Sequence, residues 1–297
     1  MPTRLDSCRL TLMDALDLAS LIELEDEDYD PNRNARASVD VPPLLRSNRA
    51  SQTSASRHQV TVVLALLLTA APAGAAEWKH ELAPYLWGSA MDGTVGIGSV
   101  EAEAQLSFSD ILDDLEFGFM GTYRASRDRY SITVDAIYMG LGVTEKGPGG
   151  ILKANIDLDQ VGLEADFGYA LSERLTLFAG LRYVSLETDL KVAGPLGTVL
   201  SASEEQDWVD PVIGALYAWP LADQWTLSLR GDIGGFGVGS DFAWQGIATL
   251  RWQFSPRTAL GVAYRHLDID YEDGKGDNLF KYDVATTGPA MGVVFTF

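Results

Sequence analysis

Residues 242–254 read FAWQGIATLRWQF, and their side chains alternate between apolar and polar with a period of two. Successive side chains of a β-strand point to opposite faces, so this pattern predicts a strand with one apolar and one polar face. The apolar face carries Phe242, Trp244, Leu250, Trp252 and Phe254.

The same period of two recurs through the rest of the chain from residue 77, and no long segment shows a helical apolar stripe. Apolar faces often end in aromatic residues, for example Tyr130 and Tyr138 on one strand and Trp244 and Phe254 on another. Paired aromatic ends at this spacing are typical of the two interfacial girdles of a transmembrane barrel, and they favour a barrel over a soluble sandwich.

The connections between these strands alternate in length. Tight turns are predicted at 126–129, 171–174, 221–224 and 255–257, and longer links at 145–150, 194–206, 234–240 and 272–278. Short turns at one rim and long loops at the other are the arrangement of outer-membrane barrels. The sequence therefore predicts an all-β fold, an antiparallel transmembrane β-barrel.

Ten strands give the best count for this barrel, because both ends of the chain must lie at the short-turn rim. A possible hairpin at 94–108 would raise the count to twelve, and eight would require the loss of a visible hairpin. A helix-like segment, SDILDDL, spans 109–115. The ten strands are predicted at about 79–91, 116–126, 129–143, 151–170, 174–193, 207–220, 224–236, 241–254, 258–271 and 279–297.

The first 76 residues differ from the rest. Arginines precede the apolar segment Val60–Ala71, and small residues follow it, which is the order of a secretory signal peptide. We assign 1–58 to an upstream extension, from a misplaced translation start or a long leader, 59–76 to the signal peptide and 77–297 to the barrel. Cys8 is the chain's one cysteine and lies in the extension, so a disulfide scaffold and a cysteine-based zinc site are excluded.

The last seven residues, MGVVFTF, alternate and end in Phe297. They resemble the C-terminal assembly signal of Gram-negative outer-membrane β-barrel proteins. Leu82–Trp87, Phe108–Leu112 and Phe117–Gly121 are similar to a group of uncharacterised proteobacterial small-barrel outer-membrane proteins. The resemblance implies an outer-membrane location, contact with lipid and lipopolysaccharide, and recognition of Phe295 and Phe297 by the barrel-assembly machinery. It implies no catalytic residues and no cofactor.

If the apolar face meets lipid, the opposite face collects charges in the lumen. Charges in a narrow interior must be paired, and the planar guanidinium of arginine can bridge two carboxylates. These residues form either a cross-linked polar plug or a charged constriction that filters solutes. The predicted network comprises Glu116, Arg124, Asp135, Glu164, Asp166, Arg182, Asp210, Arg230, Asp232, Arg251 and Arg265.

Two classes of function remain for such a barrel. The formal charge of −20 argues against a nucleic-acid partner, because phosphate binding needs a basic surface. We therefore expect a non-enzymatic barrel, structural or passing small solutes, with no metal and no cofactor; the oligomeric state stays open. The alternative is an outer-membrane enzyme or adhesin active at the rim, where His266, Asp268 and Asp270 share one strand face. Val262 shares that face, so these groups are expected to point outward.

Overall fold

The computed structural model describes residues 78–98, 100–146, 153–194 and 197–297. The predicted extension at 1–58 and the predicted signal peptide at 59–76 lie outside these residues. In the described part of the chain, no helix is long and apolar enough to cross a membrane.

The described residues form mainly β-strands. One α-helix, α1 (Phe108–Asp114), follows the third strand, and a short 3-10 helix (Gly276–Asn278) precedes the last. The strands are β1 (Lys79–Trp87), β2 (Ala90–Ile97), β3 (Val100–Leu106), β4 (Leu115–Arg127), β5 (Tyr130–Lys146), β6 (Lys153–Ala170), β7 (Leu175–Gly194), β8 (Gly197–Ala222), β9 (Trp225–Gly235), β10 (Phe242–Ser255), β11 (Thr258–Asp273) and β12 (Phe280–Thr296).

The wall of the barrel consists of ten antiparallel strands. β4 to β12 pair in chain order, β1 pairs with β4, and β1 also pairs with β12, which closes the ring. In the closing pair, Glu81 lies opposite Thr296 and Trp87 opposite Ala290. The predicted fold class and the count of ten strands are therefore confirmed. β1 pairs with β4 on one side and with β12 on the other, so the ring has no free sheet edge at the height of β1.

The hairpin predicted at 94–108 is formed by β2 and β3, but it adds no strand to the closed ring. β2 pairs with β12 from Phe280 to Thr287, beyond the part of β12 that pairs with β1. β3 pairs with β2 and with no other described strand. The hairpin thus extends the wall above β1, and the twelve-strand and eight-strand alternatives are wrong.

The helix α1 starts with a capping box. The Ser107 side chain accepts a hydrogen bond from the backbone N–H of Asp110, and the Asp110 carboxylate accepts one from the backbone N–H of Ser107 at 2.9 Å. These hydrogen bonds hold the pKa of Asp110 below its usual value. The reciprocal pairing satisfies two of the backbone donors that a helix start leaves free.

The strands differ greatly in length, and the largest departure from the predicted ranges is at β8. This strand spans Gly197–Ala222, whereas the sequence pattern predicts only 207–220. Its first part contains the run SASEEQ, which has no apolar face. A strand that rises above the membrane meets water on its outer side, so the alternation that reveals a transmembrane strand is lost there.

Candidate functional site

The middle of the lumen holds a layer of buried charged side chains. Arg182 on β7 donates from Nε to Glu164 at 2.7 Å and from Nη2 to Asp232 at 2.6 Å. Arg182 and Glu164 lie opposite each other on β7 and β6, whereas Asp232 lies on β9. All three side chains are at most 5% exposed. One guanidinium therefore joins carboxylates from two different strands, as its planar geometry allows.

Arg230 makes a second bridge in the same layer. It contacts Glu164, lies 3.0 Å from Asp166, and donates from Nε to Asp232 at 3.1 Å. The centre of its guanidinium lies 4.2 Å from the centre of the Phe178 ring, a cation–π contact. Gln245 donates to Asp232 at 3.0 Å and completes this part of the layer.

Asp135 and Arg265 form the other half of this layer. We call the whole set the charge layer; it comprises Asp135, Glu164, Asp166, Arg182, Arg230, Asp232 and Arg265. Arg265 Nη1 donates to Asp135 at 2.9 Å, and Tyr85 Oη donates to the same carboxylate at 2.9 Å. Thr122 adds a third donor at 2.7 Å. The guanidinium of Arg265 lies 4.8 Å from the centre of the Trp87 ring. Three arginines and four carboxylates thus meet in the middle of the barrel.

A smaller polar group lies closer to the short-turn rim. Arg251 Nη1 donates to Glu81 at 3.0 Å, and its Nε and Nη2 donate to Gln253. Arg124 lies opposite Glu81 in the β1–β4 pair and lines the cavity between this group and the charge layer. Glu81, Tyr85 and the glutamines belong to the interior network although they are absent from the predicted set.

Two residues of the predicted set lie apart from these groups. Asp210 is fully buried opposite Arg182, but its Oδ1 accepts a hydrogen bond from the backbone N–H of Ser240 at 2.7 Å, which ties the β9–β10 loop to the wall. Glu116 is exposed and lies at a β-bulge of β4, beside Gly142. Strict alternation of side chains along β4 predicts that Glu116 points into the lumen. The register shift at this bulge turns it away from the charge layer instead.

The charge layer separates two cavities. The lower cavity, of about 210 Å³, is lined by Thr122, Thr133, Ser228 and Thr249 among others. The upper cavity, of about 50 Å³, has a largely apolar lining above the charged side chains. Asp135, Glu164 and Arg265 line both cavities and so lie between them. The two spaces meet at these charged side chains.

Aromatic side chains fill the lumen beyond the upper cavity. The rings of Trp208 and Tyr271 stack with centroids 4.1 Å apart, and Tyr282 packs against Trp208 at 5.9 Å. Phe280 and Val284 belong to the same buried cluster. Tyr271 and Tyr282 occupy the inner face of their strands and are absent from the predicted set of interior residues. The alternation of inward and outward side chains, continued along β11 and β12, is the signal that places both tyrosines in the lumen.

His266, Asp268 and Asp270 lie on the outer face of β11, opposite in parity to Arg265. His266 Nε2 lies 3.9 Å from an oxygen of Asp268, and the His266 ring packs against Trp244 with centroids 4.4 Å apart. Tyr264 on the same face is 57% exposed. These groups therefore face away from the lumen.

The exterior of the barrel is an apolar band edged by aromatic side chains. Leu181, Leu229 and Leu250 lie on this surface and are substantially exposed. Aromatic side chains edge the band on both sides. Near the short turns these are Tyr130, Phe167, Trp219, Trp225, Trp252 and Phe254. Toward the long loops they are Phe117, Phe119, Phe242 and Trp244. An apolar outer band between two aromatic girdles, with charges inside, is the arrangement that lipid requires of a barrel wall.

The chain forms a transmembrane β-barrel of the Gram-negative outer-membrane type. No family model and no curated protein matches the sequence. Solved outer-membrane barrels resemble it in structure at low sequence identity. The outer membrane protease OmpT from Escherichia coli has 8% identity and a TM-score of 0.49, with 76% of this chain and 99% of that chain covered.

Two further outer-membrane barrels match with lower scores. The attachment invasion locus protein Ail of Yersinia pestis has 13% identity and a TM-score of 0.36 over 74% of this chain and 99% of that chain. Neisserial surface protein A has 11% identity and a TM-score of 0.30 over 74% of this chain and 97% of that chain.

Proposed function

We propose that this outer-membrane barrel is a closed, non-enzymatic barrel whose charge layer blocks the flow of ions, and that its role is structural, carried by its wall and its rim. The observation that carries the proposal is the double bridging by Arg182 and Arg230, each of which contacts at least two carboxylates across the lumen. A water-filled pore would leave such groups solvated and separate.

The position of the charge layer supports the same conclusion. It lies between the two cavities, and the buried, stacked rings of Trp208 and Tyr271 lie in the lumen on the far side of the upper cavity. An ion crossing the barrel would have to break several paired, buried charges and then pass an aromatic cluster. Each step removes hydration or a partner from a charge in a medium of low polarity, which is costly.

Ion conductance in planar lipid bilayers tests the proposal. We expect the wild-type protein to show small or no conductance steps. Arg230→Ala should open a measurable conductance that prefers cations, because Glu164, Asp166 and Asp232 remain and admit water and cations when their partner is lost.

Arg257→Ala is the matched control, because Arg257 is exposed in the short turn between β10 and β11. This variant removes an arginine without touching the lumen and should remain as closed as the wild type. A large wild-type conductance that changes little in Arg230→Ala would overturn the proposal and favour an open, charged constriction.

A further inference from the structure

The wall of the barrel is interrupted on the long-loop side between β3 and β4. β1 pairs with β4 only as far as the pair Pro84–Gly121, so the Leu115–Met120 part of β4 pairs with β5 alone. β3 pairs with β2 alone. Two strand edges thus face each other without pairing, and α1 is the segment that connects them.

Side-chain packing holds α1 against this break. Ile111 is 6% exposed and packs in one cluster with Met139 and Leu141 of β5, against Met91 of β2. The Phe108 ring covers Gly88, where an added Cβ would lie 3.2 Å from Phe108 Cε2. The helix therefore presents Ile111 to the lumen, while Phe108 and its neighbour Leu112 remain exposed on the outside.

The cavity behind α1 is the upper cavity. Met91 and Met139, which pack with Ile111, also line this cavity, and Met120 lines it as well. α1 is therefore one side-chain layer away from the space above the charge layer. Elsewhere the wall is a hydrogen-bonded ladder, except above the Val212–Gly234 pair of β8 and β9, where the β9–β10 loop is tied to Asp210 through the backbone N–H of Ser240. Ile111 of α1 is held by side-chain packing, so displacement of α1 is the route that breaks the fewest strand pairings.

The floor of the upper cavity offers a hydrogen-bond donor. Arg182 is 3% exposed and lines the upper cavity, and its Nη1 makes no hydrogen bond within the described residues. A buried donor without an acceptor is costly, so an acceptor supplied by a bound molecule would be favourable. The lining of the upper cavity is largely apolar, so a neutral acceptor enters it at a lower desolvation cost than an anion.

We propose that α1 is a side entrance through which a small neutral molecule, with an apolar body and one oxygen acceptor, passes from the membrane into the upper cavity. Short alcohols, aldehydes and ketones have this chemistry. The apolar part lies among Met91, Met120 and Met139, and the oxygen accepts from Arg182 Nη1. A cavity of about 50 Å³ holds several water-sized groups, which limits the body to a few carbon atoms. This site goes beyond the proposed closed barrel, because a molecule entering sideways need not cross the charge layer.

The methionines of the barrel test the proposal directly. Residues 77–297 contain four methionines, of which Met91, Met120 and Met139 line the upper cavity and Met291 faces outward, 56% exposed. We propose to titrate full-length barrel in nanodiscs, labelled with ¹³C at the methionine methyl groups, with 1-butanol. The three cavity methyls should shift and saturate, whereas Met291 should show only the gradual change caused by butanol in the lipid.

Butyrate is the matched probe, since it has the same chain length and carries a negative charge. It should bind at least about tenfold more weakly, because an ionised carboxylate must leave water to enter a cavity with a largely apolar lining. Shifts confined to Met291 would mean partition into lipid and would overturn the site. Equal binding of butyrate would overturn the proposal that the site selects a neutral molecule. Loss of the site with conductance still absent would leave the proposed closed barrel intact.

Two variants of α1 test the entrance. Ile111→Ala should raise the exchange rate of butanol about tenfold, because it removes the packing that holds the helix closed. Leu112→Ala is the control, since Leu112 is 55% exposed on the outer side and should leave the rate unchanged. If Ile111→Ala does not fold, Ile111→Val gives a smaller increase in the same direction. An unchanged rate in a folded Ile111 variant would overturn the entrance.

Discussion

Arg182 Nη2 lies 2.6 Å from Asp232 Oδ1, although Arg182 belongs to β7, Asp232 to β9, and β8 runs between them. Gly214 of β8 lies opposite Asp232 in the sheet. A Cβ at Gly214 would lie 2.4 Å from the Phe178 ring and 2.7 Å from Asp232 Cβ, so glycine is needed there. A small residue in the wall thus lets the charged side chains meet across a strand.

Arg182→Ala should lower the free energy of unfolding by about 3–5 kcal/mol, because it leaves Glu164 and Asp232 buried with one partner fewer. Denaturant unfolding in detergent micelles measures the loss. Arg257→Ala, in the exposed turn, should change the stability by no more than about 0.5 kcal/mol. A similar, small change in both variants would show that the buried bridge contributes little.

Leu250→Arg should destabilise the barrel by about 2–4 kcal/mol, because Leu250 belongs to the lipid-facing band and an arginine there must enter hydrocarbon. Thr249 lines the lower cavity, so Thr249→Arg should cost less. Refolding equilibria of the two variants in lipid vesicles compare neighbouring positions of one strand. The reverse order would mean that the face assignment of β10 is incorrect.

Deletion of Phe297 should sharply reduce the fraction of protein inserted in the outer membrane, because we propose that Phe297 and Phe295 are read by the barrel-assembly machinery. Heat-modifiable migration of cell-envelope protein measures insertion. Phe297 also stacks on His80 with centroids 5.7 Å apart and exchanges backbone hydrogen bonds with it, so its loss weakens the closing seam as well.

His80→Ala separates these two effects. It removes the ring stacking and keeps the C-terminal phenylalanine. Insertion should stay near the wild-type level in His80→Ala and fall only in the deletion. An equal fall in both variants would assign the effect to closure of the seam instead of recognition.

The start of α1 should open more readily in acid. The hydrogen bonds from Ser107 lower the pKa of Asp110 in the folded barrel, so its carboxylate stabilises the helix start above the unfolded pKa of about 4. This contribution is lost as the pH falls through the lower, folded pKa. Hydrogen exchange of the α1 amides, corrected for intrinsic pH effects, should show the increase.

The matched variants for this experiment lie on the same helix. Asp110→Ala should open α1 at neutral pH and remove the acid dependence, whereas Asp113→Asn should keep it because Asp113 is exposed and takes no part in the capping box. An acid response that persists in Asp110→Ala would assign the effect to another group.

The transmembrane part of the fold could be predicted because lipid outside and polar side chains inside impose a period of two. β10 is predicted at 241–254 and lies at Phe242–Ser255; β11 is predicted to begin at 258 and does so at Thr258. The upper part of β8 could not be predicted in this way, because water on its outer face imposes no alternation. The hairpin β2–β3 escaped a firm assignment for the same reason.

The candidate site was only partly predictable. The alternation of side chains along each strand places Arg182 and Arg230 on the inner face. The partner of each depends on which side chains the barrel brings to the same height. Asp210 lies on the inner face as expected. Its carboxylate nevertheless accepts a hydrogen bond from the backbone N–H of Ser240, because the β9–β10 loop folds back to it. Tyr85 and Gln245 donate to the charge layer without a charge of their own, so an inventory of charged residues passes over them.

The unequal lengths of the strands have a consequence for the surrounding bilayer. β7 has twenty residues, whereas about 9–11 strand residues are needed to cross hydrocarbon, so part of β7 extends beyond the hydrocarbon. This part stays paired with β6 and β8, so the wall continues into the headgroup region as a hydrogen-bonded sheet. On the side of β1, which has nine residues, the hairpin β2–β3 continues the wall, so the headgroups meet folded backbone there as well.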